Sequence, residues 1–186
     1  MSSESALEFF EQHATAEARL TELQAKPEAT QVAWEAGTCS HHSPGPVQDE
    51  ECLVRAFDQP THYRDGEILP AAFTDVAVRG LSCNRLNYTT IEAALARSSE
   101  RVAQANARRG IDAAERQTVA FATLSVAHLR SLMCGAPPRR GLAVYDTGLE
   151  DDPSHADVCL LVSGKHAERS LRSSLFAATR ETLALI

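Results

Sequence analysis

"CLVRAFDQP", Cys52 to Pro60, is where the character of the chain changes. The apolar run is short and bounded by acids on one side and Pro60 on the other, as a buried strand is. As a strand it puts Leu53, Arg55 and Phe57 on one face and Cys52, Val54 and Ala56 on the other. Both faces are largely apolar, so the strand reads as covered on both sides, with Arg55 at least partly inside. A buried guanidinium needs an acid or an anionic ligand to offset desolvation. The expected partner is an acid such as Asp152 or Asp157, and an anionic ligand is the alternative.

Before this stretch the pattern is helical. Ser5 with Glu8 makes a capping box, and Leu7, Phe10 and Ala14 keep helical spacing. Thr15 is placed to cap a second helix with Leu20 and Leu23 on one face. Pro27 suits the first turn of a third, and Gly37 a left-handed stop. Val32 and Trp34 close this small core. "TCSHHSPGPVQDEE" then ends helices and makes a loop. The expected division is a helical segment over 1–37, a linker over 38–49 and an α+β domain over 50–186.

Beyond it, Asp65-Gly66 is a turn signal. A long helix runs from about Thr90 to Arg109, with a capping box at Thr89 and Glu92 and a stop at Gly110. Ile91, Ala94, Leu95, Ser98, Val102 and Ala105 mark one face. "TVAFATLSVAHLRSLM" reads as one strand, two strands or a buried helix. "GLAVYDTG" and "HADVCLLV" read as strands, and a last helix from Lys165 carries Leu171, Leu175 and Ala178. The fold class is α+β: a small helical N-terminal appendage followed by a compact mixed sheet with two helices.

At 186 residues, 44% hydrophobic and 23% charged, the chain has the composition of a globular protein. A net charge of −7 argues against nucleic-acid or anionic-membrane binding. Five cysteines without a close pair read as reduced thiols. No apolar run approaches the ~20 residues of a membrane span, and "MSSESALEFFEQ" lacks the features of a secretory signal. The expected location is cytoplasmic.

"ESALEFFEQHATAEARLTEL" and "VAWEAG" resemble the nitrogen-fixation-cluster-type leader-peptide domain of modified bacterial peptide precursors. Phe9, Phe10, the Leu20/Leu23 pair and the Ala36-Gly37 ending carry the resemblance, over about a fifth of the chain. It implies a docking module, with Phe9, Phe10, Leu20 and Leu23 binding a partner enzyme or transporter of modified-peptide biosynthesis. The chain departs from the family in lacking a double-glycine cleavage point and in carrying a full domain after the helices. The remainder is similar to small uncharacterised bacterial proteins with E-x-L-x-R, G-L-S-x-x-R and D-P-x-H-A segments, here "ECLVR", "GLSCNR" and "DPSHA". That likeness draws attention to Arg55, Ser82, Arg85 and His155 without assigning an activity.

In "DDPSHADVCLLV", Asp151 to Val162, a strand sends Ala156, Val158, Leu160 and Val162 to the core and His155, Asp157, Cys159 and Leu161 the other way. His155 and Asp157 then sit ~7 Å apart along the strand, too far for a base and its orienting acid. His155 is available to a nucleophile from another segment, Ser82 or Cys83. Asp151, Asp152 and Asp157 are possible oxygen ligands for a divalent metal. The favoured reading of "DDPSH" is a turn in which His155 bonds a neighbouring carbonyl. Cys39, His41 and His42 carry metal-ligand chemistry but lack two spaced ligand pairs, so the expectation is no metal. No G-x-G-x-x-G, phosphate loop or G-x-S-x-G names a cofactor or a reaction.

Two functions follow. One is a bacterial binding or adaptor protein that docks a partner through residues 1–37. The other is a small enzyme or effector whose polar cleft gathers Arg55, His62, Ser82, Arg85 and His155.

Overall fold

A computed structural model describes residues 4–14, 19–109 and 114–186. Helices α1 (Ala6–Gln12), α2 (Arg19–Ala25) and α3 (Glu28–Glu35) lead, and strand β1 (Cys52–Gln59) follows. The Asp65-Gly66 turn joins β2 (Tyr63–Arg64) to β3 (Glu67–Ile68), with φ of 54° and 87° at the two turn residues. Positive φ at both centres is the hairpin turn that Asp-Gly favours. A 3-10 segment (Pro70–Ala77) leads into β4 (Leu81–Arg85), α4 (Ile91–Ala107), β5 (Gln117–Ser125) and α5 (Val126–Ser131). Then come the ribbon of β6 (Met133–Cys134) and β7 (Arg139–Arg140), β8 (Leu142–Tyr145), β9 (His155–Leu160), α6 (Lys165–Thr182) and β10 (Ala184–Leu185).

The main sheet has six strands in the order β10-β5-β1-β4-β9-β8, and each ladder is antiparallel. The fold is α+β. The ambiguous stretch resolves into strand β5 followed at once by α5, because Ser125 caps that helix by accepting the His128 N–H. Two further elements join the two body helices expected: α5 and the 3-10 segment.

Cross-strand pairing sorts the faces. Leu53, Leu81, Leu124, Val144, Val158 and Leu160 share one face, over which α6 and the 3-10 segment pack. Phe57, Phe73 and Phe176 stack there edge to face, with centroids 6.2 Å apart in each pair. Ser82, Asn84, His155, Asp157 and Tyr145 share the opposite face. Two blocks cover that face: α4 over β1 and β5, and the N-terminal helices over β8 and β9. The strip between the blocks belongs to β4 and β9.

The N-terminal helices share one continuous core with the body, for Phe10 stacks on Tyr145 at 4.9 Å and Phe9 on Trp34 at 4.8 Å. Glu35 fastens α3 to the open edge of β8. Its carboxylate accepts the Val144 N–H at 2.6 Å and pairs with Arg130 and Arg140. The Thr38–Glu51 stretch has no helix or strand, yet it too is anchored, through buried Cys39 and Val47.

The Ser5–Glu8 capping box forms as expected. At α4 the cap is Thr90, not Thr89: the Thr90 hydroxyl accepts the Ala93 N–H, while Thr89 accepts from Arg97. Gly37 is not left-handed, because α3 closes on Ala36 in helical geometry. The expected cap at Thr15 and stop at Gly110 lie outside the described residues. Among the described residues no helix is long and apolar enough to cross a membrane.

Candidate functional site

Gly80 opens β4 at φ +103°, and a Cβ there would lie 2.8 Å from the Asp157 Cβ. That close approach lets Ser82 and Asp157 pair across β4 and β9, with Asn84 opposite His155 two residues on. On this shared face the Ser82 hydroxyl and the His155 Nε2 are 2.8 Å apart. The other ring nitrogen, Nδ1, lies 3.0 Å from the Thr147 carbonyl and 3.0 Å from its hydroxyl. A carbonyl only accepts, so Nδ1 carries the proton. In the neutral ring Nε2 is then the acceptor, and Ser82 donates to it. Asp157 Oδ1 stands 3.9 Å from Nε2, outside hydrogen-bond reach.

The turn expected of "DDPSH" forms, and it brings the His155 ring against Ser82. Leu149 and Asp152 exchange backbone bonds, His155 N–H donates to the Asp152 carbonyl, and the ring bonds a neighbouring carbonyl as expected of a turn. Its second nitrogen meets the serine. Every residue of β9 is buried, His155 and Asp157 included.

The serine, not the neighbouring cysteine, is the nucleophile candidate. Cys83 points to the opposite, covered face, and burial pushes its thiol up to about 12. A thiol held that high is protonated at neutral pH and inert.

Two cavities meet at Ser82. The larger, about 440 Å³, is also lined by His155, Thr147, Asp157 and Arg19. Arg19 Nη2 donates to Asp157 Oδ2 at 2.8 Å, and its buried Nε has no partner among the described residues. The smaller, about 220 Å³, lies under α4 and is lined by Arg55, Asp58, His62, Arg101 and Arg116 beside Ser82. Leu95, Ser98 and Ala105 of the expected α4 face form part of its wall.

Arg55 does not pair with Asp152 or Asp157. Asp152 is taken by Asn84, Ser154, Arg97 and Arg101, and Asp157 by Arg19. Burial raises the Asp152 carboxyl, but bonds from Ser154 and Asn84 together with Arg97 hold it below the usual range. These engagements also remove both acids from the metal reading. Instead, β1 and β4 pair at Leu53–Arg85 and Val54–Asn84, and next to that pairing Arg55 Nη1 donates to the Ser82 carbonyl at 2.8 Å.

Arg85 stands apart from the others. It is fully buried, with its donors on Glu51, Asp146 and the carbonyls of Gly45 and Pro46. The five cleft candidates thus divide: Arg55, His62, Ser82 and His155 line the paired cavities, and Arg85 braces the Thr38–Glu51 stretch. His62 is held down at about 4 by burial and by Arg55.

The four side chains expected to dock a partner, Phe9, Phe10, Leu20 and Leu23, are buried in the chain's own core. Cys39, His41 and His42 diverge: the Cys39 thiol faces the Trp34 carbonyl at 3.7 Å, while both histidines are exposed and His41 lies beside Glu11. Arg19, Thr147 and Arg116 were not legible in the sequence, because nothing local marks a residue that meets its partners only across the fold. Comparison with protein-family models, curated proteins and solved structures finds no match.

Proposed function

We propose that the chain is a small serine-dependent enzyme of the hydrolase or acyl-transferase type, with Ser82 as nucleophile and His155 as general base. The observation that carries this reading is the relay Ser82 Oγ, His155 Nε2, His155 Nδ1, Thr147 carbonyl, at 2.8 Å and 3.0 Å. A serine hydroxyl is a weak nucleophile until a base takes its proton, and the base works best when its far nitrogen is fixed. Here a backbone carbonyl does the fixing where a carboxylate often does.

Ser82 Oγ attacks the carbonyl carbon of an ester or related acyl group, and its proton passes to Nε2. When the tetrahedral adduct collapses, Nε2–H protonates the leaving oxygen and the acyl group stays on Ser82. Water, deprotonated by Nε2, reverses the sequence and frees the acid. Asp157 offsets the positive charge on the ring during each transfer. Arg19 is the cationic donor in the same cavity for the developing oxyanion.

For an adaptor that docks a partner through residues 1–37, the support is thinner. The side chains named for docking are buried, so such a partner would meet the outward side of those helices, where Val32 is exposed.

The test is labelling of the full-length protein with a fluorophosphonate, read by peptide mass spectrometry, alongside hydrolysis of p-nitrophenyl esters. Labelling at Ser82 is expected, absent in Ser82→Ala and slowed roughly 10²–10⁴-fold in His155→Ala, the usual worth of a positioned base. Ester hydrolysis that survives Ser82→Ala unchanged, or a wild-type protein that takes no label, overturns the proposal.

A further inference from the structure

The cavity under α4 carries more positive charge than its surroundings neutralise. Three guanidinium groups, Arg55, Arg101 and Arg116, line it with a single carboxylate, Asp58. Arg101 is paired with Asp152 at 3.3 Å. Asp58 is engaged by the Thr118 hydroxyl at 3.2 Å and lies 3.8 Å from His62 Nδ1, not on an arginine. That leaves Arg55 and Arg116 without a carboxylate partner among the described residues.

Arg55 is the informative one. It is 9% exposed, its side chain makes one hydrogen bond, to the Ser82 carbonyl, and its buried Nε has no partner among the described residues. The buried Nε of Arg116 is likewise without a partner among them. A guanidinium removed from water to this degree is ordinarily matched by an acid or by bound anionic oxygens, which suit its fork of donors. His62 cannot supply the missing negative charge, and being held near 4 it is neutral at pH 7 and adds no positive charge either. At about 220 Å³ the space is smaller than the ~300–1,000 Å³ of a whole-ligand pocket, so it fits one group of a larger molecule.

We infer that this cavity is an anion subsite that takes a compact oxyanion, a phosphate or a carboxylate, and that the substrate attacked by Ser82 carries that group. The second part rests on the serine–histidine reading; the first stands without it. Ser82 lines both cavities, so an anion held by Arg55 and Arg116 positions the rest of the molecule along the β4–β9 strip towards His155.

Calorimetric titration of inorganic phosphate and of acetate into the full-length protein, at ionic strength matched with sodium chloride, tests the subsite. One saturable site is expected for at least one probe, and the tighter probe names the oxyanion. Arg116→Gln is expected to weaken it at least tenfold. Arg101→Gln, at a more exposed side chain, gives a second reading if Arg116→Gln does not fold, with a smaller loss expected. No saturable binding of either probe, or equal binding in both arginine variants, overturns the subsite.

The serine reading fails separately. Anion binding without fluorophosphonate labelling of Ser82 supports the subsite and removes the substrate claim. A labelled Ser82 without anion binding overturns the subsite alone. Where both hold, hydrolysis favours esters bearing a phosphate or carboxylate, and Arg116→Gln raises their KM at least tenfold with kcat largely kept.

Discussion

Replacing Arg85 with methionine separates the two arginines that the sequence groups together. Arg85 is fully buried and makes five hydrogen bonds, to Glu51 twice, to Asp146, and to the carbonyls of Gly45 and Pro46, at 2.6–3.2 Å. Methionine keeps much of the volume but leaves two buried carboxylates and two carbonyls facing one another. Removing one partner of a buried ion pair typically costs about 3–5 kcal/mol. For a chain of this length, at ~2–4 °C per kcal/mol, that is a fall in Tm of roughly 6–20 °C.

The pH dependence sharpens the test. Burial pushes Asp146 up to about 7 even with Arg85 pulling the other way. Burial also raises Glu51, but Arg85 holds it below its ordinary value. Without Arg85 both carboxyls rise in the folded state. A carboxyl with a raised folded pKa weakens the fold as pH climbs through the window between its unfolded and folded values. The deficit of Arg85→Met relative to wild type is therefore largest near pH 8.5 and shrinks towards pH 5.5, as the stranded carboxyls take protons. Urea unfolding followed by circular dichroism at both pH values measures it. A deficit under about 1 kcal/mol at pH 8.5, or one that grows in acid, refutes the brace assigned to Arg85.

Two further perturbations follow from the same geometry. Holding His62 near 4, by burial first and Arg55 second, against 6.5 in the unfolded chain makes its neutral form part of the fold. That contribution, about 3 kcal/mol at 1.36 kcal/mol per pH unit, is full above 6.5 and is lost as pH falls towards 4. His62→Gln should show a shallower acid-side loss than wild type, and parallel stability–pH curves would refute this. Gly80→Ala places a Cβ 2.8 Å from that of Asp157 at φ +103°. Strain at such a position costs about 1–3 kcal/mol. Fluorophosphonate labelling of Ser82 should slow with it, and wild-type stability in a chemical denaturation series would sink the claim.

What the sequence determined by itself is the local grammar. The Ser5–Glu8 capping box, the Asp65-Gly66 hairpin, the apolar faces of α4 and α6 and the buried strand at Cys52 are all decided by neighbours within a few residues. Ser82 and His155 entered as candidates through the "GLSCNR" and "DPSHA" segments, in a likeness that assigned them no role. Only the tertiary structure decided which candidates meet. Ser82 reaches His155 because β4 and β9 are neighbours in this register, and a slip of one residue between them would put the two side chains on opposite faces. Arg55 and Arg85 look alike in sequence, yet pairing between β1 and β4 leaves one at a cavity with a carbonyl and gives the other two carboxylates. The aromatic and leucine residues of the first helices likewise read as a surface for a partner until a sheet face is there to cover. A residue's type states what it needs, and the residues that meet the need are brought to it by strand order, which no local pattern encodes.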